Sequence, residues 1–140
     1  MLKLKPYSAS VIGFGGLLLV AVGIYFVLLR PPLLPEDLRY IGSTLQNEKE
    51  NIAGLTNWLQ KVFLVMGGYI FTTGLLTVFV SFTSFRNRTP GSFSIVALAG
   101  ITSIGSMTVV NFIINSDFKW ILLTFTLPWA IALVLYRLHK

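Results

Sequence analysis

Four stretches of this sequence run for about 20 residues with no charged side chain, which at about 1.5 Å of helix rise per residue is the length that crosses the hydrocarbon of a bilayer. They cover residues 10–29, 62–82, 93–115 and 120–136. Between Val62 and Phe85 the only ionisable side chain is Tyr69, and between Pro90 and Ser116 there is none. The fourth stretch is the shortest and reaches across with its aromatic and basic flanks in the headgroups. Composition agrees: 54% of residues are hydrophobic and only 11% charged, too apolar a mixture for a soluble domain of 140 residues to hide. The same figures exclude a disordered tail and a nucleic-acid-binding domain. With no cysteine, neither a disulfide scaffold nor thiol chemistry is available. The expected fold is all-α: a polytopic membrane protein, one domain over residues 1–140, with four transmembrane helices in an antiparallel bundle.

Lys3 and Lys5 ahead of the first apolar run resemble the start of a signal peptide. The run is longer than a cleavable core of 7–15 residues and ends in Tyr25-Phe26-Val27-Leu28-Leu29-Arg30 without a small-residue cleavage site, so it reads as an uncleaved anchor. Basic residues set the expected orientation. With the N-terminus cytoplasmic, Lys3, Lys5, Arg86, Arg88, Arg137 and Lys140 lie inside on short segments. Arg30, Arg39, Lys49, Lys61 and Lys119 are spread over a longer outside stretch. All five acidic residues, Glu36, Asp37, Glu48, Glu50 and Asp117, then fall outside. The expectation is a multi-pass protein of the inner (cytoplasmic) membrane with both termini cytoplasmic. The net charge of +6 becomes a topological signal, and the partners it implies are membrane lipids, not nucleic acid.

The 86–91 and 115–119 connections are tight turns, so the second, third and fourth spans alternate in direction. Asn87-Arg88-Thr89 matches the glycosylation pattern but falls on the cytoplasmic side, as a chance match would. The 30–61 loop is longer. Pro31, Pro32 and Pro35 end the first helix, and Pro35-Glu36-Asp37 reads as a new first turn in which the adjacent acids cap the helix. Leu38, Ile41 and Leu45 make one apolar face weakened by Gly42. A second pattern begins after Ser43 or Asn47 and runs through Ile52, Leu55 and Leu59 into the second span. One or two short amphipathic helices on the outer interface are expected, with Glu48, Lys49 and Glu50 facing water. Tyr7, Trp58, Trp120 and Tyr136, with Phe85, mark the two headgroup levels as interface anchors.

Inside lipid, helices associate through small residues and hydrogen bonds. Gly13, Gly16 and Gly23 line much of one side of the first span, and Gly16 and Gly23 there, like Gly67 and Gly74 in the second, are seven residues apart and share a face. Thr73, Thr77 and Ser81 form a polar stripe, and Gly100, Ser103, Met107 and Asn111 share a face of the third span. These groups read either as a bundle seam or as a small polar cavity. Asn111, a turn below Asn115, is expected to hydrogen-bond another helix or a trapped water. Pro128 removes a backbone donor in the fourth span and is expected to kink it. A pocket, if formed, would lie near Asn111 and Pro128.

No charge lies within a span, so a proton relay lacks its working group. His139 and the acids are on opposite sides, which removes a metal cluster and a Ser/His/Asp set. The sequence leads to expectations of no enzymatic activity, no cofactor and no metal. Two functions stand: an accessory or structural subunit packing with other membrane proteins or itself, and a binding or transport module for a small neutral or lipidic ligand.

Leu34-Pro35-Glu36-Asp37-Leu38-Arg39-Tyr40-Ile41-Gly42 and Gly67-Gly68-Tyr69-Ile70-Phe71-Thr72-Thr73-Gly74-Leu75-Leu76-Thr77 resemble patterns in uncharacterised bacterial four-helix membrane proteins, loosely the DoxX-like and DUF4345-like groups. The resemblance covers about a third of the chain and implies a compact bundle in a bacterial inner membrane, without a reaction. Members often carry a His-Asp-Arg cluster at the outer start of the second span. Gly54-Leu55-Thr56-Asn57-Trp58-Leu59 stands there in this chain.

Overall fold

The structure, a computed structural model, describes residues 5–41 and 49–138, and side chains from residue 7 and, after the gap, from residue 54. Lys3, Gly42, Ser43, Leu45, Asn47, Glu48, His139 and Lys140, together with the side chains of Lys5, Lys49, Glu50 and Ile52, lie outside that description.

Five helices make up the described chain. Helix α1 covers Lys5–Ile24 and closes with a wide π turn at Tyr25–Leu29, where Arg30 N–H bonds Tyr25 O at 2.8 Å. Pro31 and Pro32 prevent its continuation. Helix α2, Pro35–Ile41, is short. Helix α3 covers Lys49–Val80 and ends in a second π turn, Ser81–Phe85. Helix α4 runs over Ser92–Ile113 with a third π turn, Ile101–Gly105, inside it. Helix α5 is Lys119–Leu138 and contains Pro128. Helices α1, α3, α4 and α5 are long and apolar enough to cross a membrane, which makes this a multi-pass membrane protein built as an all-α four-helix bundle.

The first, third and fourth spans begin and end within a few residues of the expected positions. The second helix starts earlier than its apolar stretch, at Lys49, because the amphipathic pattern preceding Val62 belongs to the same helix. Among the described residues the loop thus supplies one separate helix, α2. Its apolar side chains Leu38 and Ile41 are exposed, as an interface requires.

Packing order differs from chain order. Helix α1 lies between α3 and α5, and α5 in turn carries α4, giving the spatial order α3, α1, α5, α4. The α1–α3 seam is glycine on glycine. A Cβ on Gly74 would stand 2.7 Å from Gly16 O, and one on Gly16 would stand 2.9 Å from Gly74 O. Gly23 lies against the Phe71 backbone and Gly67 against Val27 in the same manner. The seven-residue spacing therefore does what small residues do in membranes, allowing backbones to touch.

On the other side of α1, Trp129 of α5 is buried between two glycines. Cβ atoms added to Gly15 and Gly100 would meet its ring at 2.6 and 2.3 Å. The Trp129 indole Nε1 has no partner among the described residues. Ala9, Ile12, Leu19, Phe85, Val96, Ile104, Leu122 and Ala132 complete the core. Pro128 is buried against Gly15 within an unbroken helix.

Both turns close with the same hydrogen-bond pair. After α3, Arg88 N–H bonds Phe85 O and Thr89 N–H bonds Ser84 O, with Arg88 left-handed at φ 54°. After α4, Asn115 N–H bonds Phe112 O and Ser116 N–H bonds Asn111 O, with Asn115 at φ 53°. This is the glycine-type helix stop, made here with arginine and asparagine.

Candidate functional site

Helices α3 and α4 are neighbours in sequence yet pack little on one another, and they diverge toward the end that carries α2. Between them lies a cavity of about 980 Å³, at the upper end of the range for small-molecule sites. Its walls come from Val62 to Thr73 of α3 and from Thr102 to Asn111 of α4, with Ile114 just beyond that helix. Leu19, Val22 and Phe26 of α1 and Leu122 and Phe125 of α5 form its back. From Val62 to Thr73 it extends about 16 Å along the helix, roughly half of a 30 Å hydrocarbon core. Lining residues such as Val65, Tyr69 and Val110 are more than half exposed, so the cavity opens sideways between α3 and α4.

Most of the lining is apolar, and the hydroxyls of its spanning-helix threonines and serines are occupied within their own helices. Thr73 donates to Tyr69 O at 2.8 Å, Thr102 to Leu98 O at 2.9 Å and Ser106 to Thr102 O at 2.7 Å. Ser103 donates to Ala99 O. Serine and threonine commonly back-bond in this way in helices.

The polar groups concentrate at the cap. Arg30 leaves the end of α1 and lies over the Phe63 ring, 3.5 Å from its centroid, with Phe26 on another side. Its Nη2 donates to Asp37 Oδ2 at 3.1 Å and its Nη1 to Pro31 O at 3.0 Å. Asp37 Oδ2 also accepts Leu34 N–H at 2.9 Å, the reach-back bond of a helix cap. Capping thus falls to Asp37. Glu36 does something else. It turns inward, is only 3% exposed and lines the cavity. Its Oε1 accepts a hydrogen bond of 3.2 Å from Ser116 Oγ, on the α4–α5 turn. Ser116 is itself buried and accepts Phe118 N–H at 3.1 Å. Outside this layer, the exposed Arg39 and Asp117 pair at 2.8 Å, and the Asp117 hydrogen bond and charge raise the Arg39 pKa above its ordinary value.

Of the residues singled out in the sequence, Thr73, Ser103 and Asn111 line the cavity. Thr77, Ser81 and Pro128 do not. Thr77 and Ser81 are buried in the bundle and donate to Thr73 O and Val78 O. The expected pocket near both Asn111 and Pro128 therefore has only Asn111 in its wall. The Asn111 amide finds one partner on its own helix, its Nδ2 donating to Met107 O at 2.9 Å. Tyr7, Trp58 and Trp120 are exposed. Tyr136 is instead half-buried, its ring 4.5 Å from Phe85 and its hydroxyl 3.2 Å from Ser92 Oγ.

Sequence reasoning missed Arg30 and Glu36 as cavity residues and Trp129 as a core residue. Among the described residues no group of three metal-ligating side chains comes together. No protein-family model matches the chain, and neither a curated protein nor a solved structure matches it.

Proposed function

We propose that this chain is a non-enzymatic membrane protein that binds a small lipidic molecule in the cleft between α3 and α4. The observation that carries the reading is the cavity itself: about 980 Å³, apolar along its length, polar at one end and open sideways. That shape suits a molecule with a chain and a head, entering laterally from one leaflet. With the basic residues placed inside, the polar end belongs to the outer leaflet of a bacterial inner membrane. The resemblance to DoxX-like and DUF4345-like proteins is part of the same proposal.

The second reading is an accessory subunit packing with other membrane proteins or with itself. The unpacked walls of α3 and α4 favour it too, because a partner's helix could fill the same gap. Gentle extraction from the native membrane followed by mass spectrometry separates the two. A stoichiometric bound lipid supports the first, and copurification with a larger complex and no lipid overturns it.

A further inference from the structure

The polar end of the cavity is lined by two carboxyls, Glu36 and Asp37, against one cation, Arg30. Arg30 and Asp37 neutralise each other as an ion pair with side chains 8% and 18% exposed. Glu36 remains. Among the described residues, the hydrogen-bond partner of its carboxylate is the neutral Ser116 hydroxyl, and it enters no ion pair. Among the described residues, Arg39 on the same short helix feels the Glu36 charge, and Lys119 begins α5 three residues after Ser116. Arg39 is exposed and engaged by Asp117, and Lys119 donates to Asn115 at the exposed rim. Water screens charges at such positions, whereas a buried carboxylate interacts strongly with a cation brought against it. The serine and threonine hydroxyls of the walls point the same way, while the Tyr69 hydroxyl and the second Asn111 N–H are the donors there. With the hydroxyl hydrogens of Thr73, Thr102, Ser103 and Ser106 used on their own helices, their oxygens have lone pairs to offer and no proton.

We infer that the cavity selects an amphiphile with a cationic, hydrogen-bond-donating head: a protonated amine on a long alkyl chain, its ammonium at Glu36 and its chain between α3 and α4. This rests on the lipid-binding reading above and adds the chemistry of the head.

The test uses the full chain in phosphatidylcholine nanodiscs with three photoreactive probes that share one alkyl chain: hexadecylamine, hexadecanol and hexadecyl sulfonate. After photolysis, labelling is mapped onto cavity residues of α3 and α4 and onto the lipid-facing residues Leu75, Phe79, Ile95 and Leu98. The amine should label cavity residues about tenfold more than the sulfonate, with the alcohol between them. Glu36→Gln should bring the amine down to the level of the alcohol while the alcohol changes by less than about twofold. Equal labelling of the cavity by all three probes would overturn the head-group inference and leave lipid binding standing. Labelling confined to the lipid-facing residues would overturn both. If Glu36→Gln fails to fold, the three-probe comparison on the unaltered chain still decides.

Discussion

Ser116 donates to Glu36 Oε1 at 3.2 Å, joining two side chains that are 2% and 3% exposed and 80 positions apart. The bond ties the short helix between the first two spans to the turn between the last two. It thereby closes the cavity at its polar end.

Removing the hydroxyl should be costly, because Ser116 Oγ also accepts Phe118 N–H. Ser116→Ala is expected to destabilise the protein by about 1–3 kcal/mol, seen as a lowered thermal midpoint in detergent. Glu36→Gln combined with Ser116→Ala should cost less than the sum of the two, since the second change removes a bond already weakened. Strict additivity in that double-mutant cycle would contradict the coupling.

Two neighbouring glycines of α3 should respond in opposite ways. Gly74 lies on the seam, where a Cβ would stand 2.6 Å from Val20 N, so backbone must move. Gly74→Ala is expected to destabilise by about 1–3 kcal/mol. A Cβ on Gly68 meets nothing within 4 Å, and Gly68→Ala should be neutral or stabilise by up to about 1 kcal/mol through helix propensity. Unfolding curves of both variants in the same detergent check this.

At Arg88 the backbone and the side chain oppose each other. Its left-handed φ of 54° disfavours any residue with a Cβ. Its guanidinium donates to Tyr136 O at 3.0 Å and lies 4.4 Å from the Tyr136 ring centroid. Arg88→Ala keeps the backbone penalty and loses the contacts, for an expected loss of about 1–2 kcal/mol. Arg88→Gly loses the same contacts but relieves the backbone, so it should be the more stable of the two. The reverse order in thermal melts would contradict this account of the turn.

Trp129 fills the space that Gly15 and Gly100 leave, and its indole N–H bonds nothing among the described residues. Trp129→Phe should therefore cost far less than Trp129→Ala, for which about 3–5 kcal/mol is expected from the void. Comparable losses in the two variants, measured by thermal unfolding, would show that the N–H carries the stability.

The spans were legible in the sequence because hydropathy and length alone define them, and the α1–α3 seam because glycines seven apart must share a face. The order of the helices around the bundle was not. Short turns make Phe85 and Ser92 neighbours, but nothing local says that Gly15 and Gly100 will grip Trp129 or that α4 will stand away from α3. Glu36 was obscured for a related reason. An acid beside Pro35 at a helix start reads as a cap, and Asp37 does cap. Only the tertiary position of Ser116 shows that Glu36 turns inward. Asn111 was expected to bond another helix or a trapped water because its cost in lipid is high, and Met107 O one turn back takes one of its N–H groups.

On the lipid-binding proposal, the cleft between α3 and α4 holds a lipidic molecule. Native mass spectrometry of the chain with Ser103→Phe, which places a ring in the cavity wall, tests it most directly against Leu98→Phe on the lipid-facing side. The claim predicts one retained lipid on the unaltered chain and on Leu98→Phe, and its loss from Ser103→Phe. Equal lipid retention in a folded Ser103→Phe protein would contradict it.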